Sequence, residues 1–420
     1  AYGSPHAMTP TMDMLSRKGI LFSQSLSSSS WTLPGVQNML AGHYLHRFLC
    51  EAQPFHLAQD FEIPLIPAEF ATAGYFTIGI SANHLVSPEH GLDMGFDIFD
   101  TKASEKWMTW STIPLYYRIT ELLSKYGDRP LFIYIHAMDP HDPYTPLEPF
   151  DAICSPPDNA DIRPRIRQRD SGYLNLHPFK DTLLPLTEAE NEFLRANYRG
   201  EVRQMDTFLL SFLEYLEELS MCDDLILAIT ADHGEEFGEH SSYQHGISLY
   251  EPVVRVPLIL MDFVNDRSPE VVPARVSTID VASTLLHMAD VSTRATFEGI
   301  NLLSPEAMAD PDRLIYTIVR NHDEPEIPRW RLRSVYQNER KLTWQSRDVL
   351  TAYDLLRGPD ESVFREFENW DAFFAADIDA RWRGMGEQLK IFMDSLAERR
   401  QSGGMDKMLT QKLRDLGYIE

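Results

Sequence analysis

The stretch Leu225 to His240, LILAITADHGEEFGEH, constrains this chain most. An unbroken apolar run of strand type stops at Asp232 and His233, so two side chains able to bind a metal fall where a buried strand would leave its sheet. In open α/β sheets, ligands bind beyond the carboxyl ends of the strands, which turns a polar pair there into a site hypothesis. Alone, an Asp-His pair is an ordinary solvated turn, and only other residues converging on it make a site. The same layout recurs in the chain. Tyr75 to Ser81 (YFTIGIS) delivers Asn83 and His84, and LFIYIHA after Pro130 empties into Met138-Asp139-Pro140-His141-Asp142-Pro143-Tyr144. A single sheet edge would account for these polar ends together.

Helix signals alternate with these strands. Thr9-Pro10 followed by TMDMLSRKG supplies a cap, a proline in the first turn and a terminating Gly19. Ser30-Trp31-Thr32-Leu33-Pro34-Gly35 leads into a helical VQNMLAG closed by Gly42. Thr32 therefore stands at a helix N-terminus, facing unpaired backbone N–H groups and the positive end of the macrodipole. Ile66 to Ala73 reads as a helix closed by Gly74. Thr187 to Glu190 has capping-box spacing and opens a long amphipathic helix whose core stripe is Tyr198, Val202, Met205, Leu209, Phe212, Leu216 and Leu219. Arg255 to Met261 (RVPLILM) is a further strand and Ser277 to Ala289 a further helix. The alternation predicts an α/β fold, a doubly wound, mainly parallel sheet flanked by helices.

From about residue 313 the texture changes. LIYTIV, RLRSVYQN and ERKLTW are short alternating strands, the last two turning near Asn338-Glu339, and they predict a small C-terminal antiparallel sheet. The charged remainder reads as a helical tail with a break at Ser402-Gly403-Gly404. The expected organisation is a catalytic domain over 1–310 with a proline- and charge-rich insertion at 151–186, a small α+β subdomain over 311–365, and the tail over 366–420.

A formal net charge of -25 repels nucleic acid and anionic lipid. No apolar run is long enough to span a bilayer, so neither a nucleic-acid partner nor a membrane span in this chain is expected. A bound divalent cation inverts the field inside a pocket, which keeps a small anionic substrate compatible with the acidic balance. Cys50, Cys154 and Cys222 are widely spaced without a CxxC pattern, which argues against a disulfide framework or a zinc ribbon. Arg163, Arg165, Arg167 and Arg169 alternate within the insertion and would share one side of an extended segment. The simplest reading is a solvated strand; the alternatives are a collar that attracts an anionic substrate or a subunit contact, which leaves a homo-oligomer open. The opening AYGSPHAMTP reads as loop rather than signal peptide, and the compartment is not legible.

In this order, TPTMDMLSRKGILF, SWTLPGVQNMLAGHYLHR, HAMDPHDPY, TADHGEEFGEH, HGISLYEPVVRVPLIL, STIDVASTLL, RSVYQNERKLTW and LRDLGYIE resemble the sulfatase family of the alkaline phosphatase superfamily. The resemblance runs through nearly the whole chain. It implies a doubly wound α/β domain with one divalent metal at the strand ends, acting on sulfate or phosphate esters. Asp232 and His233 match metal ligands of the family. Thr32 matches the nucleophile, at the head of a pattern that in many members reads Cys or Ser, any residue, Pro, any residue, Arg. His141 and His245 match basic residues that contact the transferred group or the leaving oxygen, and Asn83 and His84 match a substrate-binding segment. On this reading Thr32, bound to the metal as its alkoxide, attacks in line, and one of His141, His245 or His84 protonates the leaving alcohol. Metal, imidazoles and helix N-terminus supply positive charge where negative charge builds up. Oxygen ligands from Asp and Thr favour Ca, Mg or Mn, and His233 widens the choice to Mn or Zn.

The departures from the family pattern shape the expected chemistry. Members with Cys or Ser convert it to formylglycine, whose hydrate expels sulfate by collapsing to the aldehyde, a route closed to threonine. A Thr-bound intermediate must be cleared by water attacking the central atom, which favours phosphodiesters, phosphomonoesters or phosphonate esters over sulfate esters. Val36 stands where Arg is usual, Ala82 stands where many members have Lys, and the family's first strand, with its metal-binding Asp, would lie before Ala1. These departures motivate a second reading, a catalytically inactive homologue that binds an anionic ligand or a partner. A third is a transferase that passes the phosphoryl headgroup to an acceptor other than water.

Overall fold

The computed structural model describes residues 2, 9–44, 63–102, 112–142, 144–153, 186–240, 243–265, 267–320, 331–345, 349–357 and 363–402. Cys50, Cys154, the Arg163 to Arg169 alternation, nearly all of the insertion and the chain after Ser402 lie outside these residues.

The apolar runs form the centre of the molecule as two sheets. β1 (Ile20–Leu26), β2 (Phe76–Ser81), β3 (Ile98–Asp100), β4 (Leu131–His136) and β5 (Ile226–Thr230) come first in the chain, followed by the short β6 (Glu236–Phe237) and β7 (Tyr243–Gln244). Pro257 divides RVPLILM into β8 (Arg255–Val256) and β9 (Leu258–Asp262), and β10 (Glu270–Ser277) follows. One sheet has the order β10-β1-β9-β5, with β8 also on β1; the other has the order β3-β2-β4. β10 on β1, and β3 and β4 on β2, are parallel, whereas β9 runs antiparallel to both β1 and β5.

Helices cover both faces. On one side Leu115 and Ile119 of the helix Thr112–Tyr126, and Phe208 and Phe212 of the long helix Glu188–Glu218, pack on Ile78 and Ile80. On the same side Leu15 of Pro10–Lys18 meets Ile259 and Met261. On the other side Val36, Met39 and Leu40 of Thr32–Ala41, Ile66 and Phe70 of Ile66–Thr72 and Leu286 of Asp280–Met288 share a core with Phe22, Leu258 and Leu260. The fold is thus the doubly wound α/β arrangement. β4 and β5 each keep one edge unpaired among the described residues, and Leu131 to Ile135 and all of β5 are only partly buried although mostly apolar.

Local sequence sets the element ends. The capping box forms, with Thr187 Oγ1 accepting from Glu190 N and Glu190 Oε2 accepting from Thr187 N at 2.7 Å. Leu209, Phe212 and Leu216 of the expected stripe are buried, while Leu219 is the C-cap and stays exposed. Gly42 ends the Thr32 helix at φ 63°, the left-handed conformation that favours glycine.

Beyond residue 313, β11 (Ile315–Arg320), β12 (Arg331–Gln337), β13 (Arg340–Gln345), β14 (Leu350–Asp354) and β15 (Val363–Phe367) make an antiparallel meander. The helices Trp370–Ala375 and Ala380–Ser402 pack Phe373, Trp382, Met385, Leu389 and Phe392 onto Val335, Leu342 and Leu350 of that sheet. Asp280, fully buried at the start of its helix, ties this part to the α/β core. It receives Arg313 Nη2 on both oxygens at 2.6 Å, and backbone N–H groups from Ser277 and Ile300.

Candidate active site

The polar ends of the strands meet around β5. Gly234 N donates to Val253 O at 2.6 Å, and a Cβ on Gly234 would stand 2.2 Å from Pro252 O, so only glycine lets the chain after β5 pass this close. That passage sets Asp232 and His233 against the Thr32 helix. The Thr32 hydroxyl lies 3.3 Å from His233 Nε2, and the Ser27 hydroxyl donates to the Asp232 carbonyl.

His233 is held in a defined tautomer. Its Nδ1 is 2.9 Å from the Gly234 carbonyl, which can only accept, so the proton sits on Nδ1 and the Nε2 lone pair faces Thr32. This is the form a metal ligand requires. Burial alone would raise the Asp232 carboxyl, but the nearby His233, His136 and His245 rings and a bond from Thr32 outweigh it and hold Asp232 below its ordinary value. Asp232 is therefore an anion in the folded protein.

Two further expected residues join this pair. The His245 ring stacks on His233 with centroids 4.1 Å apart, and His141 meets His245 edge to face at 5.1 Å. Burial pushes both His141 and His245 down to about 4, so both are neutral near pH 7 in the ligand-free site. His141 Nδ1 is committed to the Asp142 carbonyl at 2.6 Å, whereas His245 Nδ1 bonds the carboxyl of Glu235 at 3.0 Å. Asn83 and His84 are placed differently. Asn83 is buried with its Oδ1 accepting from Leu85 N at 2.9 Å, which closes its own turn. His84 is exposed, and the charge that bears on its ring is that of Glu89.

Residues not singled out from sequence support the cluster. Glu235 is buried, which pushes its carboxyl up to about 7. Glu201, on the long helix, receives the backbone N–H groups of His141 at 3.1 Å and Thr145 at 2.6 Å, and so fixes the loop that carries His141. His136 ends β4 beside Asp232, its Nδ1 sharing a hydrogen bond of 2.9 Å with the Tyr134 hydroxyl. The one signal for His136 and Glu235 in the sequence was their place at the polar ends of apolar runs.

A sequence model of the family described as Sulfatase matches residues 1–291. The chain belongs to the sulfatase family. It is 26% identical over 191 residues to the multifunctional alkaline phosphatase superfamily protein PehA of Trinickia caryophylli, a match over 42% of this chain and 37% of that protein. Among solved structures, BT4656 in complex with its substrate D-glucosamine-2-N,6-O-disulfate superposes with a TM-score of 0.71 at 18% identity, over 94% of each chain. The phosphonate monoester hydrolase of Agrobacterium radiobacter superposes with a TM-score of 0.68 at 17% identity, over 95% of this chain and 92% of that one. These likenesses show the sulfatase fold.

Against the sulfatase pattern, the departures are structural as well as textual. Val36 is fully buried in the apolar core and Ala82 is buried beneath the helix Thr112–Tyr126, so neither position offers a cation to the site. The oxygen and nitrogen donors of Asp232, His233 and Thr32 suit a divalent cation in kind. They fall short in number of the roughly four to eight ligands such ions take. Among the described residues no group of three or more His, Cys, Asp or Glu side chains is disposed to hold a metal. No helix among them is long and apolar enough to cross a membrane.

Proposed function

We propose that this sulfatase-family chain is a metal-dependent hydrolase of sulfate or phosphate esters with Thr32 as nucleophile, and that phosphodiesters or phosphonate esters are preferred over sulfate esters. The observation that carries the reading is the Thr32 hydroxyl 3.3 Å from His233 Nε2, beside an ionised Asp232 and under two stacked or edge-on imidazoles. Asp232, His233 and Thr32 would supply part of the ligand set of a divalent ion, Ca, Mn, Mg or Zn, whose charge would offset the negative charge gained by the ester oxygens.

Thr32 gives up its hydroxyl proton to solvent, and its Oγ1 forms a bond to the central atom as the bond to the leaving oxygen breaks. His245 is the best placed proton donor to that oxygen, because Glu235 behind it titrates near neutrality and can hold or supply the proton through the ring. His141 presents Nε2 to the substrate, its other nitrogen being engaged by Asp142 O. An anionic ester between the two rings favours their charged forms and so raises both from their ligand-free values. The preference for phosphorus rests on the chemistry of a threonine, which must release its product to attacking water. The phosphonate monoester hydrolase among the structural neighbours is in keeping with that preference.

The test is a panel of bis-4-nitrophenyl phosphate, 4-nitrophenyl phenylphosphonate and 4-nitrophenyl sulfate, each with the four metals in turn. The phosphonate and the phosphodiester are expected to turn over fastest, and Thr32→Ala is expected to lose more than about 1000-fold in kcat with an unchanged melting temperature. Full activity in Thr32→Ala refutes the reading. Absence of turnover on every ester points instead to an inactive homologue that binds its anionic ligand.

A further inference from the structure

We infer that Lys341, on β13 of the C-terminal sheet, is a positioning residue for the His245 loop, so that this sheet takes part in the chemistry of the α/β site; the inference rests on His245 acting as proposed above. Lys341 is 1% exposed. Its ammonium donates to the carbonyl of Leu249 and lies 5.5, 5.2 and 5.2 Å from the ring centroids of Tyr250, Tyr336 and Tyr353. Tyr336, opposite Lys341 across the β12–β13 pair, points its hydroxyl at the same carbonyl from 3.5 Å. An ammonium is strongly hydrated, and it enters a core only where carbonyl oxygen and aromatic faces replace its water. A methionine would fill the same space without that cost, so the charge is kept for what it holds, the Leu249 carbonyl among its partners.

Leu249 follows His245 in the segment HGISLYE, and the segment is tied down along its length. At its start, Gly246 N donates to Ser30 O at 2.7 Å, beside the nucleophile. In its middle, Ser248 Oγ donates to Glu236 Oε2 at 2.6 Å, while Glu236 Oε1 bonds His240 at 2.8 Å and the His240 ring stacks on Tyr250 at 3.7 Å. Its far end is held from the C-terminal sheet through Leu249. Losing Lys341 frees that end, four residues from His245, the one proposed proton donor in the segment.

The experiment compares Lys341→Met with the unaltered chain on phenyl and 4-nitrophenyl phenylphosphonate. A 4-nitrophenoxide leaves with little help from an acid, whereas phenoxide depends on it. Turnover of the phenyl ester is expected to fall by about 100-fold and that of the 4-nitrophenyl ester by less than about 10-fold, with Lys341→Arg recovering part of the loss. A merely structural role would slow both esters alike, so equal losses, or none, overturn the inference. Where circular dichroism shows Lys341→Met unfolded, Lys341→Gln, which keeps a donor without the charge, carries the same comparison. Thr32→Ala measured alongside separates the two claims. Turnover surviving that change removes the functional reading, whereas its loss with an unchanged ester ratio in the Lys341 variants removes only the role of Lys341.

Discussion

Replacing Gly234 with alanine perturbs the passage on which the site is built. The added Cβ would stand 2.2 Å from Pro252 O, whereas ordinary contact begins at 3.4 Å, so the two segments must part by about 1.2 Å. No side chain can yield, because the obstacle is backbone. That backbone is bound by Gly234 N to Val253 O at 2.6 Å and by Glu235 N to Pro252 O at 3.1 Å. Overpacking of this kind costs about 1–3 kcal/mol, and the two strained hydrogen bonds about 1 kcal/mol each. Alanine recovers only about 0.4–1 kcal/mol through the unfolded chain, so destabilisation wins by roughly 2–4 kcal/mol. His233 moves with Gly234, which carries Nε2 out of reach of a Thr32 hydroxyl now 3.3 Å away. A displacement of about 1 Å at reacting groups lowers turnover by about 100-fold. Urea denaturation followed by circular dichroism reads the first effect, and kcat/KM on 4-nitrophenyl phenylphosphonate the second. A Gly234→Ala protein with the original midpoint and the original turnover would show that the close passage does not position His233.

Two further outcomes follow from buried charge. Asp280→Ala removes the partner of Arg313 and of two backbone N–H groups, and a loss of about 3–5 kcal/mol is expected in urea denaturation; a loss below about 1 kcal/mol would contradict the assigned role. In the metal-free protein, burial holds His141 and His245 at about 4, below the 6.5 of a free imidazole. The unfolded chain therefore binds more protons there, and the stability these rings support is full above pH 6.5 and lost as pH falls towards 4. Glu235, raised by burial from 4.5 to about 7, and Glu201, also raised by burial, act in the opposite sense and offset the two rings. His136 and His233, also lowered by burial, add to the acid side. Thermal melts in chelator should fall between pH 6.5 and 5, and a flat or rising melting temperature would contradict the assignment.

What could be read from the sequence was what local chemistry encodes. The apolar run before Asp232, the cap at Thr187 and the place of Thr32 at a helix start all depend on neighbours within a few residues, and all appear in the fold. β10 was not legible, because EVVPARVS opens with the exposed Glu270 and Val271 and carries Pro273, which suits it only to the sheet edge it occupies. The reversed direction of β9 was equally hidden, since an apolar run carries no sign of its polarity in the sheet. Thr32, Asp232, His233 and His141 are marked in the sequence by strand and helix ends and His245 by the family resemblance alone, and the structure brings the five side chains together. Glu235, Glu201 and Lys341 act through partners distant in the chain or on other elements, and only packing reveals them. Asn83 lies at its expected strand end, but its side chain is spent on the turn that follows.

In the proposed function, Thr32 forms the bond to the substrate. Rapid acid quench of the chain reacting with 4-nitrophenyl phenylphosphonate, followed by mass spectrometry of the peptide containing Thr32, tests it most directly. A phenylphosphonyl adduct on Thr32 that appears within the first turnover, and is absent from Thr32→Ala, is the predicted result. Steady turnover with an unmodified Thr32 peptide throughout, or an adduct on another residue, would contradict it.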